Sequence, residues 1–320
     1  MKRNQRGAAL LVAMLTVTLV ATFAATAMWQ QWRNAEVEDA ERTRIQAGWV
    51  LTGALDWARL ILGEDSVSID HLSEPWAVPL EEARLSTFLA ADRSGGDITG
   101  TDAENVFLSG TISDQQALLN LGNLVNKGSI NEVGLRSFQR LFSLLGLPAS
   151  DLNRLAENMR FANDIATDNQ SASQASLAPQ RFDQIPWLGV SPATVSALRP
   201  YVTLLPINTQ VNVNTAPAEV LYAVIDSLTL ADAQELVALR AATPFRTTSD
   251  ILKKVPKLPP GVALSVNSQF FEVRGRLRLD QLVLEERSLV QRLGPRQVQT
   301  LWRERTAPQL AAASTSTTSR

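Results

Sequence analysis

Few side chains in this sequence can do acid–base or nucleophilic chemistry near neutral pH. Its 320 residues include no cysteine and one histidine, His71. The lack of cysteine removes disulfides, thiolate metal sites, cysteine nucleophiles and iron–sulfur clusters in one step. A Ser-His-Asp triad or a histidine metal site would have to use His71. No acid or nucleophile stands at motif spacing from it. The stretch His71-Leu72-Ser73-Glu74-Pro75-Trp76 reads as a compact turn in which the imidazole donates a structural hydrogen bond. Asp92, Asp97, Asp102 and Glu104 fail the spacing of an EF-hand calcium loop and read as a polar loop. Gly122-Asn123-Leu124-Val125-Asn126-Lys127-Gly128 lacks the Gly-Lys-Ser/Thr ending of a phosphate-cradling loop.

Composition narrows the function further. With 30 basic and 32 acidic residues the net charge is −2, which gives no electrostatic reason for a nucleic-acid partner. Apolar residues make up 45% and charged residues 19%, the profile of a folded chain. The length suits roughly two domains of about 150 residues. The segment from Val211 through Leu252 resembles a helix-hairpin-helix module. Such modules hold DNA phosphates on glycine backbone amides in the hairpin. The hairpin here, Asp226-Ser227-Leu228-Thr229-Leu230, has no glycine and carries a negative charge, so a packed helical hairpin is the better reading.

The elements that would position any function begin at the N-terminus. Lys2, Arg3 and Arg6 precede an uncharged stretch, whose apolar core is the 22 residues from Ala8 to Trp29. As a helix it would be about 33 Å long, enough to cross a hydrocarbon core. Trp29, Trp32 and Arg33 suit an interfacial anchor. The basic residues before the span and Glu36, Glu38 and Asp39 after it place the N-terminus in the cytoplasm. A secretory signal peptide and a plain signal anchor are two readings of this segment. The third rests on Gly7, directly between the basic leader and the apolar run. MKRNQRG followed by AALLVAMLTVTLV resembles the class III leader of type IV pilins and pseudopilins. That resemblance implies cleavage by a prepilin peptidase between Gly7 and Ala8 and N-methylation of Ala8. The usual Glu at the fifth mature residue is absent, because that position is Val12. Within the family this absence marks the minor pseudopilin K of type II secretion.

Helical spacing continues past the membrane through Ile45, Trp49, Leu51, Leu55, Ala58, Ile61 and Leu62, with Gly63 as C-cap. Ala8–Leu62 as one helix would be roughly 80 Å long. Val106–Ile112 has strand character. Helices are expected at Val133–Leu145, at Leu152–Ile165 capped by Asp151, and at Pro192–Leu198 capped by Ser191. A strand at Tyr201–Leu205 and a helix capped by Thr215 follow, with Leu230–Arg240 as the antiparallel partner of that helix. Alternation predicts strands at Gln269–Leu279, Gln281–Leu293 and Val298–Trp302.

HLSEPWAVPLEE, LLNLGNLVN, ALRPYVTLLP and INTQVNVNTAPAEVL, with the Glu-less leader, resemble type II secretion minor pseudopilin K over nearly the whole chain. The fold implied is α+β: a pilin-like long N-terminal transmembrane helix on an antiparallel sheet, with an inserted mostly helical domain. The expected parts are leader 1–7, membrane helix 8–32, pilin-like segments 33–128 and 204–307, the second with the helical hairpin, helical insertion 129–203 and disordered tail 308–320. The resemblance implies a non-enzymatic filament subunit in a tip complex with minor pseudopilins I and J. Other type II secretion components and membrane lipid would be its further contacts. Its place would be the bacterial inner membrane, single-pass, with the soluble domain periplasmic. A membrane-anchored periplasmic helix-hairpin-helix protein binding DNA or ligand is the alternative. Family members bind calcium on acidic loops of the helical domain. Here that places candidate ligands at Asp164 and Asp168, with Asn163, Asn169 and Asp183 to complete a set, against a solvated-loop reading.

Overall fold

The computed structural model describes residues 5–87, 106–163, 176–255, 263–279, 282–306 and 309–310. The chain divides into two compact units, Met1–Gly53 and Ala54–Arg320. The first is carried by α1, a continuous helix, Gln5–Glu64. No proline interrupts it. Its span holds four threonines, and each bonds its hydroxyl back to a carbonyl three or four residues earlier, Thr16 to Ala13 at 2.9 Å and Thr26 to Thr22 at 2.6 Å. A helix in lipid must satisfy its polar groups internally, and these bonds do so for the hydroxyls. Arg33 stacks over Trp29 at 5.0 Å.

In the second unit, Leu55, Ala58 and Leu62 fall on one face of α1 and are buried with Trp76, Phe271, Val273, Val290 and Val298. The sheet they meet is antiparallel. Its strands are β1 (Leu80–Arg84), β2 (Val106–Asp114), β9 (Phe270–Leu279), β10 (Leu282–Gly294) and β11 (Gln297–Arg305), hydrogen-bonded in that order. A short β12 (Gln309–Leu310) also pairs with β10. Phe271 and Val273 of β9 face α1 in alternation, while Phe270 and Leu289 are buried on the opposite face with Leu205, so this part of the sheet is covered on both sides.

Strands β2 and β9 are direct neighbours, with Val106 opposite Leu279 and Asp114 opposite Phe271. Everything between them is an insertion. It contains three two-residue strands β3 (Leu119–Asn120), β4 (Val125–Asn126) and β5 (Ser129–Ile130), then helices α2 (Glu132–Leu144), α3 (Ala149–Ala162) and α4 (Pro192–Leu198). After β6 (Val202–Thr203) and β7 (Val211–Asn212) come α5 (Ala218–Val224), α6 (Leu230–Ala242), α7 (Thr248–Lys254) and β8 (Leu264–Ser265). One apolar core runs from Leu119 to Leu264 and takes in all six of these helices. The architecture is α+β, as expected. Beyond the expected insertion limits, 129–203, no described residue from Gln115 to Gln269 joins the sheet, because β2 pairs directly with β9. The helical hairpin belongs to the insertion's core, not to the second sheet segment 204–307.

Several local expectations change for identifiable reasons. Gly63 is not a C-cap but lies inside α1. A Cβ there would stand 3.3 Å from the Arg296 Cα, and Gly63 O accepts the Arg296 N–H at 2.9 Å. The β10–β11 turn thus closes the end of the helix, and Arg296 adds an ion pair to Glu64 at 2.9 Å. Asp151 is not an N-cap either. Pro148 holds that position and Asp151 sits in the first turn of α3, where its carboxylate accepts the Thr194 hydroxyl at 2.7 Å. Thr215 likewise caps nothing, since its hydroxyl goes to Asp114 and Pro217 precedes α5. Ser191 does cap α4, accepting the Thr194 N–H at 3.1 Å. The strand expected at Tyr201–Leu205 shrinks to two residues, parallel to β3.

Candidate functional site

The processing residues lie on α1. Gly7 is within its first turns, and Ala8 and Val12 are exposed, Val12 at 61%. Val12 sits in a wholly exposed apolar run with Leu10, Leu11, Met14 and Leu15. Ala8–Glu64 is long and apolar enough to cross a membrane, and none of its most apolar window is buried. Beyond the span the helix keeps a second set of exposed apolar groups. Val37, Ile45 and Trp49 are exposed in the first unit, and Trp57 and Leu60 in the second. Ile45 and Trp49, named above for their helical spacing, are thus exposed, while Leu51, Leu55, Ala58 and Leu62 of the same series are buried.

Asp164, Asp168 and Asn169 of the calcium set lie outside the described residues, as do the Asp92–Glu104 run, most of the 167–180 stretch and the tail after Leu310. Of the described members, Asp183 has both carboxylate oxygens engaged by arginines. Asp183 gives Oδ1 to Arg199 at 2.5 Å and Oδ2 to Arg287 at 2.9 Å. Partial burial raises its carboxyl, but these two guanidiniums hold it below its ordinary value. Asn163 closes α3, donating its side-chain amide to Met159 O at 2.8 Å. Asp183 is instead one end of a clamp between insertion and sheet. Arg287 on β10 also reaches Glu304 on β11 at 3.4 Å, and Arg181 reaches Glu304 at 3.3 Å.

His71 Nδ1 accepts the Ser73 N–H at 3.3 Å, and Nε2, which then carries the ring proton, faces Glu74 Oε1 at 3.6 Å. Glu74 in turn accepts the His71 N–H at 3.0 Å and the indole N–H of buried Trp76 at 2.7 Å. The hairpin between α5 and α6 is Ile225–Thr229. Thr229 and Asp232 form a reciprocal cap, with Thr229 N–H to Asp232 Oδ2 at 2.9 Å and Asp232 N–H to Thr229 Oγ1 at 3.2 Å. Those donors are thereby used within the helix start, which leaves no nest for a phosphate.

The polar centre that sequence spacing missed lies where the insertion meets the sheet. Asp114 ends β2 and is fully surrounded. Its Oδ2 accepts the hydroxyls of Thr215 at 2.5 Å and Ser268 at 2.6 Å and the Asn212 amide at 3.1 Å, and its Oδ1 accepts the Gln116 N–H at 2.7 Å. Asp70 accepts the Ser268 N–H at 2.7 Å and the Arg292 guanidinium at 2.5 and 2.6 Å. Arg292 also reaches Asp65 at 3.1 Å and Ser268 O at 3.0 Å. Burial pushes Asp70 up to about 7 against the pull of Arg292 and the Ser268 N–H, and burial raises Asp114 against its four donors. The one sequence signal was Asn alternating with Val in Val211-Asn212-Val213-Asn214, a stretch whose four residues are all buried.

Comparison with known proteins adds to this geometry. The family described as type II secretion system (T2SS), protein K, matches residues 211–269, and the first domain of that family matches residues 117–207. The type II secretion system protein K of Pseudomonas aeruginosa is 26% identical over 306 residues, covering 87% of this chain and 86% of its own length. That of Pectobacterium carotovorum is 27% identical over 340 residues, covering 95% and 97%. Among solved structures, a chain of the GspK-GspI-GspJ complex from the enterotoxigenic Escherichia coli type 2 secretion system shares the fold. Its TM-score is 0.59 at 21% identity, with 84% of this chain and 98% of that chain covered.

Proposed function

We propose that this chain, which belongs to the type II secretion system protein K family, is a minor pseudopilin that joins minor pseudopilins I and J at the tip of the pseudopilus. There it would help to initiate or cap the filament during protein export across the outer membrane. The observation that carries the reading is α1: within the second unit it has a buried face, Leu55, Ala58 and Leu62, and exposed apolar groups, Trp57 and Leu60, that the described residues leave uncovered. The solved GspK-GspI-GspJ assembly of a chain with this fold supports I and J as the occupants.

The chain is anchored by a single apolar helix. On this reading its N-terminus lies in the cytoplasm and the region after the span in the periplasm. Prepilin peptidase cuts between Gly7 and Ala8 and Ala8 is methylated. Val12, in place of the usual Glu, offers no carboxylate to a neighbouring subunit's amine, which suits a subunit with nothing stacked above it. On this reading the role is structural, which the description of its relatives as protein K of a secretion system supports. Co-expression of the full chain with I and J, followed by detergent extraction and affinity capture on this chain, tests the assembly. Recovery of all three in equal amounts is expected. Recovery of this chain alone, folded, would refute it. For processing, Gly7→Arg should keep the leader on the chain, as read by intact mass. Maturation to an Ala8 N-terminus in that variant would disprove the leader assignment.

A further inference from the structure

A cleft of about 690 Å³ lies between the insertion and the edge of the sheet, and every residue that lines it belongs to the second unit. Clefts of this size at the junction of two parts of a fold are common binding places. Much of the lining is apolar, including Met159 on α3, Leu205 after β6 and Leu289 on β10. One wall is β11, the last strand of the sheet. Leu289 pairs with Trp302 and Val290 with Thr300, so Leu301 is an extra residue in β11. Successive residues of a regular strand point to opposite faces, and a bulge overrides that rule. Here it brings both Leu301 and Trp302 into the lining. Trp302 packs on Leu205 and Leu289, whereas Leu301 stays 37% exposed. Ile207, also in the lining, is 52% exposed.

The turn between β4 and β5 supplies the charge. Lys127 and Gly128 both line the cleft, with φ of 49° and 77°. A two-residue hairpin turn of this kind favours asparagine followed by glycine, and the left-handed region disfavours lysine. Backbone held in sparsely populated conformations gathers at ligand clamps. The lining contains two cations, Lys127 and Arg181, and no carboxylate. Arg181 is engaged by Glu304 at 3.3 Å and lies over the Trp302 ring at 5.8 Å. Lys127 is exposed and has no carboxylate partner among the described residues. An ammonium group without an internal partner thus stands beside apolar side chains that the fold leaves partly uncovered.

The geometry points to a docking site for an extended segment of another protein, one that seats a bulky apolar side chain against Leu301 and Trp302 and sets an aspartate or glutamate against Lys127. Charge complementarity selects the acid, because no carboxylate in the lining opposes it. The exposure of Leu301 and Ile207 selects a polypeptide. Small-molecule sites enclose most of their ligand, whereas exposed apolar side chains with a polar rim mark protein-binding surface. A groove of this kind reads an extended chain through its alternate side chains. None of the lining residues is on α1, so the site is separate from the helix face assigned to I and J and does not depend on that assignment.

The test begins with the full chain in lipid nanodiscs, panned against a random library of short peptides, with Leu301→Asp as the counter-selection target. Enriched sequences should combine an acidic residue with an aromatic or large aliphatic one. The most enriched peptide, carrying a fluorescent label, is then titrated by anisotropy on the wild type, Lys127→Asn and Leu301→Asp. Lys127→Asn should weaken binding by about two- to fivefold, the worth of one exposed ion pair, and remove most of its salt dependence. Leu301→Asp should weaken it by roughly tenfold or more, because a like charge then meets the acid. Lys127→Asn also places the favoured residue in the turn, so it should melt no lower than the wild type, and its lost affinity is then not lost fold. If Leu301→Asp melts below the wild type, Ile207→Asp replaces it. Equal affinity for Lys127→Asn and wild type would overturn the inference. So would enriched peptides without an acidic residue, or no peptide that prefers the wild type over the aspartate variant. Displacement of nothing but decanoate from the cleft would also overturn it, because the site would then serve a small amphiphilic anion.

Discussion

Gly134, on the inner face of α2, should tolerate no side chain at all. A Cβ built there would stand 2.2 Å from the Asn123 carbonyl oxygen and 2.9 Å from its carbon. The obstacle is backbone, so no rotamer change can relieve it. That backbone is also pinned: Asn123 O accepts the Asn131 side-chain amide at 3.0 Å, and Leu124 O accepts the Asn131 N–H at 2.8 Å. Restoring a normal contact would push α2 outward by about 1 Å and open the core around Phe138 and Leu141. Overpacking of this kind costs about 1–3 kcal/mol, and this case belongs at the upper end. Alanine returns up to about 1 kcal/mol through helix propensity. Gly134→Ala should therefore destabilise by about 2 kcal/mol net, lowering the melting temperature by roughly 4–8 °C. Gly53 is the internal control. It also lies in a helix, but nothing stands within 4 Å of its Cβ position, so Gly53→Ala should stabilise by about 0.5–1 kcal/mol. Thermal and urea unfolding of both variants in the same detergent would decide. A Gly134→Ala protein as stable as Gly53→Ala would refute the reasoning.

Two further outcomes are expected. Leu62 is completely buried among Trp76, Phe271 and Val290, so Leu62→Ala should cost about 2–5 kcal/mol, measured by urea unfolding, with loss of α1 docking visible as an exposed Trp76 fluorescence. Lys127 and Gly128 form the two-residue turn between β4 and β5 with φ of 49° and 77°; Lys127→Asn should raise stability by up to about 1 kcal/mol, because asparagine tolerates the left-handed region better.

How much of this was legible depended on range. Caps and alternation are local, and Ser191 before Pro192 and the period-two runs of β9 to β11 were found where they lie. Asp151 and Thr215 look like caps by the same local rule. Both were claimed instead by partners 43 and 101 residues away. Asp183 looked like a spare oxygen ligand until Arg287, 104 residues on, came within reach. Local chemistry offers each of these groups a role worth about 1 kcal/mol. A buried or charge-assisted hydrogen bond outweighs it.

By itself the sequence determined the membrane-spanning helix, the poverty of catalytic groups, the α+β class and the resemblance to the K pseudopilins. The helix and strands follow from periods of 3.6 and 2 and the poverty of catalytic groups from composition, which a chain carries before it folds, whereas the α+β class is what the resemblance of its leader and motifs implies. Tertiary structure alone decided that the insertion runs from Gln115 to Gln269, that Gly63 and Gly134 mark close approaches rather than caps or flexibility, and that Asp70, Asp114 and Arg292 meet. Asp70 and Arg292 are 222 residues apart. The segment from Val266 to Gln269 brings them together, Val266 O accepting the Asp70 N–H and Gln269 O the Arg292 N–H, and burial, which no pattern along the chain encodes for a lone acid, makes that meeting consequential.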